Sequence, residues 1–216
     1  VLAAPGPAAL LDLTWCLDLP VANAATLALY ELSRQARREV TVVLTGEGAD
    51  EVFGGYGKYV YPRLAAQLGR AGGALAPLLR ALPARGRAAS LAKLGGVLEL
   101  DDADEQFGRV NQVFEATVRQ NLIPGGAARL ARELVRSVCG PAVAGGSVLE
   151  RMMRFDLAGY LPEDNLMKID RATMAHGLEA RAPYLDTALV ERALAVPAEQ
   201  RSGWSTSKKL LREAAR

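Results

Sequence analysis

Val42-Val43-Leu44-Thr45-Gly46-Glu47-Gly48-Ala49-Asp50-Glu51-Val52-Phe53-Gly54-Gly55-Tyr56 is the stretch that decides the fold, because a short apolar run gives way abruptly to glycines and carboxylates. The β-branched run Val40 to Leu44 predicts a buried central strand of a parallel sheet. Ligands of open α/β sheets collect beyond the carboxyl ends of such strands, so Glu47 and Asp50 are expected to face one. Gly46 and Gly48 let the backbone turn tightly and leave N–H groups for anionic oxygens. Asp50 and Glu51 open a short helix that Gly54-Gly55 ends. The plainer alternative is a glycine-rich turn followed by a solvated acidic helix start. A dinucleotide fingerprint would need glycine where Glu51 stands, and no Gly-Lys-Ser/Thr phosphate loop occurs.

A second constellation runs from Tyr160-Leu161-Pro162-Glu163-Asp164-Asn165-Leu166-Met167-Lys168 through Ile169-Asp170-Arg171-Ala172-Thr173-Met174-Ala175-His176-Gly177 to Leu178-Glu179-Ala180-Arg181-Ala182-Pro183-Tyr184-Leu185-Asp186. Pro162 predicts a helix start, Leu166, Ile169, Met174 and Leu178 a partial apolar face, and Gly177 the terminator. Lys168, Asp170, Glu179, Arg181 and Asp186 crowd its end. Glu179 and Arg181 precede a proline in an extended segment, where residues two apart share a side. They pair with each other or with a ligand, and an ordinary surface ion pair is the plain alternative. Near the carboxyl end, Ser205 or Thr206 is expected to cap a helix that carries Lys208 in its first turn. A cation there opposes the helix dipole, which suggests a nearby anion. Lys209 and Arg212 are expected to face solvent or neighbouring carboxylates.

Half of the 216 residues are hydrophobic and the net charge is +2, so nothing in the balance invites nucleic acid or a membrane surface. No apolar stretch is long enough to span a bilayer and no signal core opens the chain, which makes the cytosol the expected compartment. Cys16 and Cys139 lack metal or redox spacing and are expected to be buried, reduced thiols. His176, the single histidine, cannot build a metal cluster alone and is given a structural or helix-end role. Asn23 or Thr26 is expected to cap a helix that reaches Arg38. Tyr59 to Leu68 begins another. Pro77 and Pro83 should prevent one long helix across residues 69–96, whose scattered arginines lack aromatic neighbours and predict a solvated helical hairpin. Helices are expected around 104–121 and 127–138, with a Pro/Gly linker at 139–146.

The Thr-Gly-Glu-Gly-Ala-Asp-Glu-x-Phe-Gly-Gly-Tyr run, the Asp-Arg-x-x-Met-Ala-x-Gly-Leu-Glu-x-Arg-x-Pro-Tyr-Leu-Asp run and Lys208-Lys209-Leu210-Leu211-Arg212 resemble the synthetase domain of glutamine-hydrolysing asparagine synthetases. The likeness is close over residues 17–64 and 150–216 and weak over about 70–145. It implies an α/β fold: the C-terminal part of a doubly wound parallel sheet of the adenine-nucleotide α-hydrolase (ATP pyrophosphatase) type, mostly helical in this region. The family's cysteine-nucleophile glutaminase domain and its Ser-Gly-Gly-x-Asp-Ser pyrophosphate loop do not occur, so a fragment of a longer protein is expected. Within one partial synthetase domain, residues 1–68 would end the nucleotide-binding sheet, 69–146 form a variable helical region and 147–216 carry the later motifs.

The implied reaction activates aspartate with ATP to an aspartyl-adenylate, which ammonia from glutamine converts to asparagine with release of AMP and pyrophosphate. By that resemblance ATP and Mg are the cofactors, Asp50 is the magnesium ligand, and Glu47 orients or deprotonates ammonia. Thr45, Gly46, Glu47, Gly48 and Arg181 would contact the nucleotide or intermediate. Glu179 and Arg181 would form a downstream wall that Asp170 and Arg171 order. Lys208 would follow phosphate and oxyanion charge. An upstream glutaminase domain is the implied partner, and a homodimer stays open. Two alternatives remain: a same-fold synthetase acting on another acid, including β-lactam or amide ring-closers, which tend to carry tyrosine where Glu47 stands, and an inactive remnant serving as a binding module.

Overall fold

The computed structural model describes residues 6–18, 23–83, 85–111 and 145–216, with scattered positions between 112 and 144. The helices expected beyond residue 111, Cys139 and most of the Pro/Gly linker lie outside the described residues.

Helix α1 (Pro7–Leu17) and helix α2 (Ala24–Ala36) open the chain. Asn23 caps α2, accepting from the Ala25 amide at 2.9 Å, which satisfies one of the amides a helix start leaves unbonded. Strand β1 (Val42–Leu44) follows and pairs in parallel with strand β2 (Glu179–Arg181), with Val42 opposite Glu179 and Leu44 opposite Arg181. The parallel strand is as expected, but it is neither five residues long nor buried. Val42 is 46% and Leu44 75% exposed, because β2 is the only strand beside β1 among the described residues.

Past β1, helix α3 (Ala49–Phe53) ends at Gly54, whose φ of 71° only glycine adopts freely. Helix α4 (Val60–Arg80) then packs along helix α5 (Gly86–Leu98) as a hairpin. Pro77 does not break α4: it sits in the last turn, and Gly73, whose carbonyl its missing N–H would have met, is exposed to water. The kink falls at Gly69, with φ 49° and ψ −134°, and Pro83 lies in the turn between the helices. Gly95 permits their close approach, since a Cβ there would lie 2.9 Å from the Ala76 carbonyl oxygen.

Helix α6 (Ala103–Val110) and helix α7 (Val148–Phe155) complete the main core, in which Tyr59, Val97, Phe107, Leu149, Met152 and Met153 are buried. Ser147 caps α7, accepting from the Glu150 amide at 3.2 Å. The chain then winds as a π-helix over Asp156–Leu166 before helix α8 (Met167–Met174). Pro162, expected to start a helix, lies inside the π segment. The wider turn accommodates a ring that in an α-helix crowds the carbonyl four residues back. Gly177 does end this helical run, with φ 66°. Arg171 does not order the Glu179–Arg181 region: it braces α8 to α1 through the Leu17 carbonyl and, at 3.1 Å, through Asp18. Leu13, Leu17, Tyr30 and Ala172 form a second small core there. His176 packs against Tyr30 with the rings tilted by 56° and their centroids 4.3 Å apart, and Cys16 is a partly buried free thiol. Asp186 caps helix α9 (Thr187–Leu194), accepting from the Leu189 amide at 3.1 Å. Helix α10 (Ala198–Arg201) and helix α11 (Lys209–Ala214) end the chain. Among the described residues no helix is long and apolar enough to cross a membrane.

Candidate active site

Because β1 and β2 are parallel, the loops that follow both strands emerge at the same end of the sheet. The Thr45 amide donates to the Arg181 carbonyl at 2.8 Å, joining the first motif to the second. Gly48 then turns with φ 85°, and a Cβ there would lie 2.1 Å from Leu185 Cδ2, so glycine is needed both for the turn and for that contact. Gly46 faces open space instead.

Three carboxylates occupy three different environments at this turn. Asp50 pairs with Lys208, Oδ1 to Nζ, at 3.0 Å. The pair lies across Gly55, where a Cβ would sit 1.7 Å from Asp50 Oδ1 and 2.4 Å from Lys208 Cε. Lys208 is not in the first turn of α11, as the sequence predicts, but at its cap in the left-handed region, φ 51° and ψ 42°. Neither Ser205 nor Thr206 caps the helix; the tertiary contacts of Lys208, through its amide to the Gly54 carbonyl and its ammonium to Asp50, outweigh local capping preference.

Glu51 is 1% exposed and accepts from the Tyr56 hydroxyl at 2.6 Å and from the Asn165 amide at 3.3 Å. Burial, then that bond to Glu51, pushes the Tyr56 phenol far above its ordinary range. Glu47 is half-buried. Burial raises its proton affinity, the charges of Glu51 and Asp50 add to the rise, and Lys168 and Lys208 oppose it. A carboxylate tuned upward in this way holds a proton more readily than a free one.

Glu179 and Arg181 stay on β2 and pair with each other, largely exposed, as the extended spacing predicts. The structure therefore pairs Asp50 with Lys208, while Glu47 feels the charges of Glu51, Asp50, Lys168 and Lys208. For Thr45 it gives a 3.4 Å hydroxyl contact to the Arg181 carbonyl. Asp170 is exposed on α8, Lys209 is exposed on α11, and Arg212 folds back on the Ser207 carbonyl at 2.9 Å.

Several supporting residues carry no local signal in the sequence. Arg201, wholly buried, donates to the Val52 carbonyl of α3 at 2.7 Å and to both oxygens of Glu150 at 3.0 and 2.9 Å. Lys58 donates to Asp156 at 2.8 Å and to Asn111 at 2.7 Å while facing the Tyr56 and Tyr160 rings, each 4.6 Å away. Only their placement beside the acidic turn identifies them. Among the described residues no group of three His, Cys, Asp or Glu forms a metal cage. A magnesium ion held partly by substrate phosphates needs only one or two protein carboxylates, so Asp50 fits as a contributor.

Residues 3–216 match the Asparagine synthase family. The chain belongs to that family. A putative glutamine-hydrolyzing asparagine synthetase of Mycobacterium bovis is 36% identical over 214 residues, covering 96% of this chain and 32% of the relative. A glutamine-hydrolyzing asparagine synthetase of Bacillus subtilis is 32% identical over 207 residues, covering 94% of this chain and 32% of the relative. A putative one of Methanocaldococcus jannaschii is 49% identical over 43 residues, 20% of this chain and 8% of the relative. The chain thus spans about a third of the length of the long curated matches, at 32%.

Proposed function

We propose that this chain is the later part of an ATP-dependent synthetase that converts the side-chain carboxyl of aspartate to an amide, through an acyl-adenylate and ammonia derived from glutamine. The observation that carries the reading is the seating of Lys208 on Asp50 at 3.0 Å, which joins the family motif that follows β1 to the lysine motif far along the chain. The adenine-nucleotide α-hydrolase sheet, of which β1 and β2 would be neighbouring strands, is part of the same proposal.

In the first step the acid oxygen attacks the α-phosphorus and pyrophosphate leaves. Magnesium, when bound at Asp50, supplies charge neutralisation on the departing phosphates. Lys208, on leaving Asp50, would meet phosphate oxygens as a mobile point charge. In the second step ammonia adds to the acyl carbon. Glu47 accepts or holds the ammonia proton, and Lys208 stabilises the tetrahedral oxyanion before AMP leaves. Thr45, Gly46, Gly48 and Arg181 line the nucleotide side, and Glu179 holds Arg181 in place.

The test uses the full-length synthetase carrying this chain. It should exchange pyrophosphate into ATP only when an acid is present and release AMP with the amide. Glu47→Gln should lower amide formation roughly a hundredfold while leaving adenylate formation much less affected. Equal loss in both half-reactions would assign Glu47 to nucleotide binding instead.

A further inference from the structure

We propose that Arg63 and Trp204 are positioning residues for Lys208, clamping the strap from Ser202 to Ser207 that leads into it; this rests on the role of Lys208 in the amide formation proposed above. The strap leaves α10 and returns to the fold at a single atom. Ser202 Oγ donates to the Gly54 carbonyl at 2.7 Å, and the Lys208 amide donates to the same carbonyl at 3.4 Å. Between those ends the Gly203 amide donates to the Thr206 carbonyl at 3.0 Å, which closes a tight turn. Arg63 ties that turn to α4. Its guanidinium donates to the Gly203 carbonyl at 3.3 Å, and its Cζ lies 3.8 Å from the centre of the Trp204 ring.

Arg63 is 7% exposed and Trp204 is 46% exposed, so the cation is sunk beneath a ring that is itself half in water. The hydrogen bond of Arg63 and its ring contact both belong to the strap. Arginine suits this place, because its plane stacks on an aromatic face while its fork still donates to a carbonyl. A tryptophan that merely shielded α4 from water would not need the strap's own backbone held as well. Lys208 gives the clamp its purpose. Its backbone lies in the left-handed region, φ 51° and ψ 42°, which residues with a side chain disfavour and keep only where their surroundings impose it. Its stem crosses Gly55, where a Cβ would come 2.4 Å from Lys208 Cε. With the backbone fixed by the strap, the flexible stem can move its ammonium between Asp50 and the reacting oxygens. A slack strap lets Lys208 relax to ordinary backbone angles and carries the ammonium away from both.

The experiment measures amide formation with AMP release by the full-length protein. It compares wild type, Trp204→Ala, Trp204→Phe, Arg63→Met, Lys208→Ala and the double variant Trp204→Ala with Lys208→Ala. Trp204→Ala and Arg63→Met should each lower kcat roughly ten- to hundredfold, the loss expected when a reacting group shifts by about an ångström. KM for ATP should stay within about twofold of wild type, which also certifies the fold. Trp204→Phe keeps a ring face for the guanidinium and should recover most of the loss. In the Lys208→Ala background, Trp204→Ala should cost at most about twofold more, because the charge that it positions is gone. A role in stability alone predicts that the two losses multiply. Should Arg63→Met fail to fold, the half-exposed Trp204 carries the test by itself. Near-normal kcat for Trp204→Ala, an equal rise in KM for ATP, or losses that multiply each overturns the clamp and leaves amide formation standing. A wild type that forms no amide from acid and ATP would remove the reaction and the clamp together.

Discussion

Two glutamate–arginine pairs of identical chemistry sit in opposite settings. Glu179 and Arg181 lie two residues apart on β2, with side chains 46% and 69% exposed. Glu150 and Arg201 come from different helices and are 11% and 0% exposed. The first pair is announced by a sequence motif, yet its mutual attraction is worth little in water. The second has no motif, yet it fixes the floor of the acidic turn, because Arg201 also holds the Val52 carbonyl of α3. A motif marks where ligand chemistry is expected, and a buried pair marks what holds that place still.

The largest expected effect lies in the buried pair. Arg201→Met should destabilise the chain by about 3–5 kcal/mol, because it leaves Glu150 a buried carboxylate without its main partner. Adding Glu150→Gln should return part of that loss. Thermal unfolding of the single and double variants checks this, and a double variant no more stable than the single one would break the assignment.

Next comes Lys208, which belongs to neither pair. In the full-length protein Lys208→Ala should cost roughly a hundredfold in turnover, with ATP binding much less affected. Lys209→Ala, one residue on and exposed, should be near normal. Equal loss in the two variants would turn the effect into one of general charge.

The exposed pair should respond least among the ion pairs. Glu179→Gln should change unfolding stability by less than about 1 kcal/mol, the usual range for a solvent-exposed pair. A much larger loss would show that β2 depends on it.

Local features of this fold were legible in the sequence because local rules govern them. Asn23 before α2, Gly54 after α3 and Gly177 after α8 each satisfy a helix end within a few residues. The strand ending at Leu44 followed from an apolar run, and family motifs marked Asp50 and Lys208, which the fold sets 3.0 Å apart. The failures share a different cause. Pro162 sits inside a π turn, and Lys208 adopts a left-handed cap while Arg201, Asp156 and the partly buried Lys58 are held by contacts with residues far along the chain. No periodicity or capping rule encodes such contacts.

The smallest effect expected is one of pH, and it separates two groups of opposite sign. His176 has its proton affinity lowered below the ordinary 6.5, first by burial and then by the Arg34 charge. Its unfolded form therefore binds protons more readily, so its contribution to stability is complete above pH 6.5 and is lost as the pH falls from there through the lower folded value. Glu47 works the other way. Its raised affinity means that the folded chain holds the proton longer, so its contribution is lost as the pH rises from the ordinary 4.5 through the higher folded value. The two partly cancel in the wild-type profile. His176→Gln should remove the first contribution alone, so the variant should lose less stability than wild type between pH 7.5 and pH 5.5. Denaturant midpoints at the two pH values measure this. Parallel midpoints in variant and wild type would mean that His176 keeps its ordinary affinity against Tyr30, and that its packing there is without electrostatic cost.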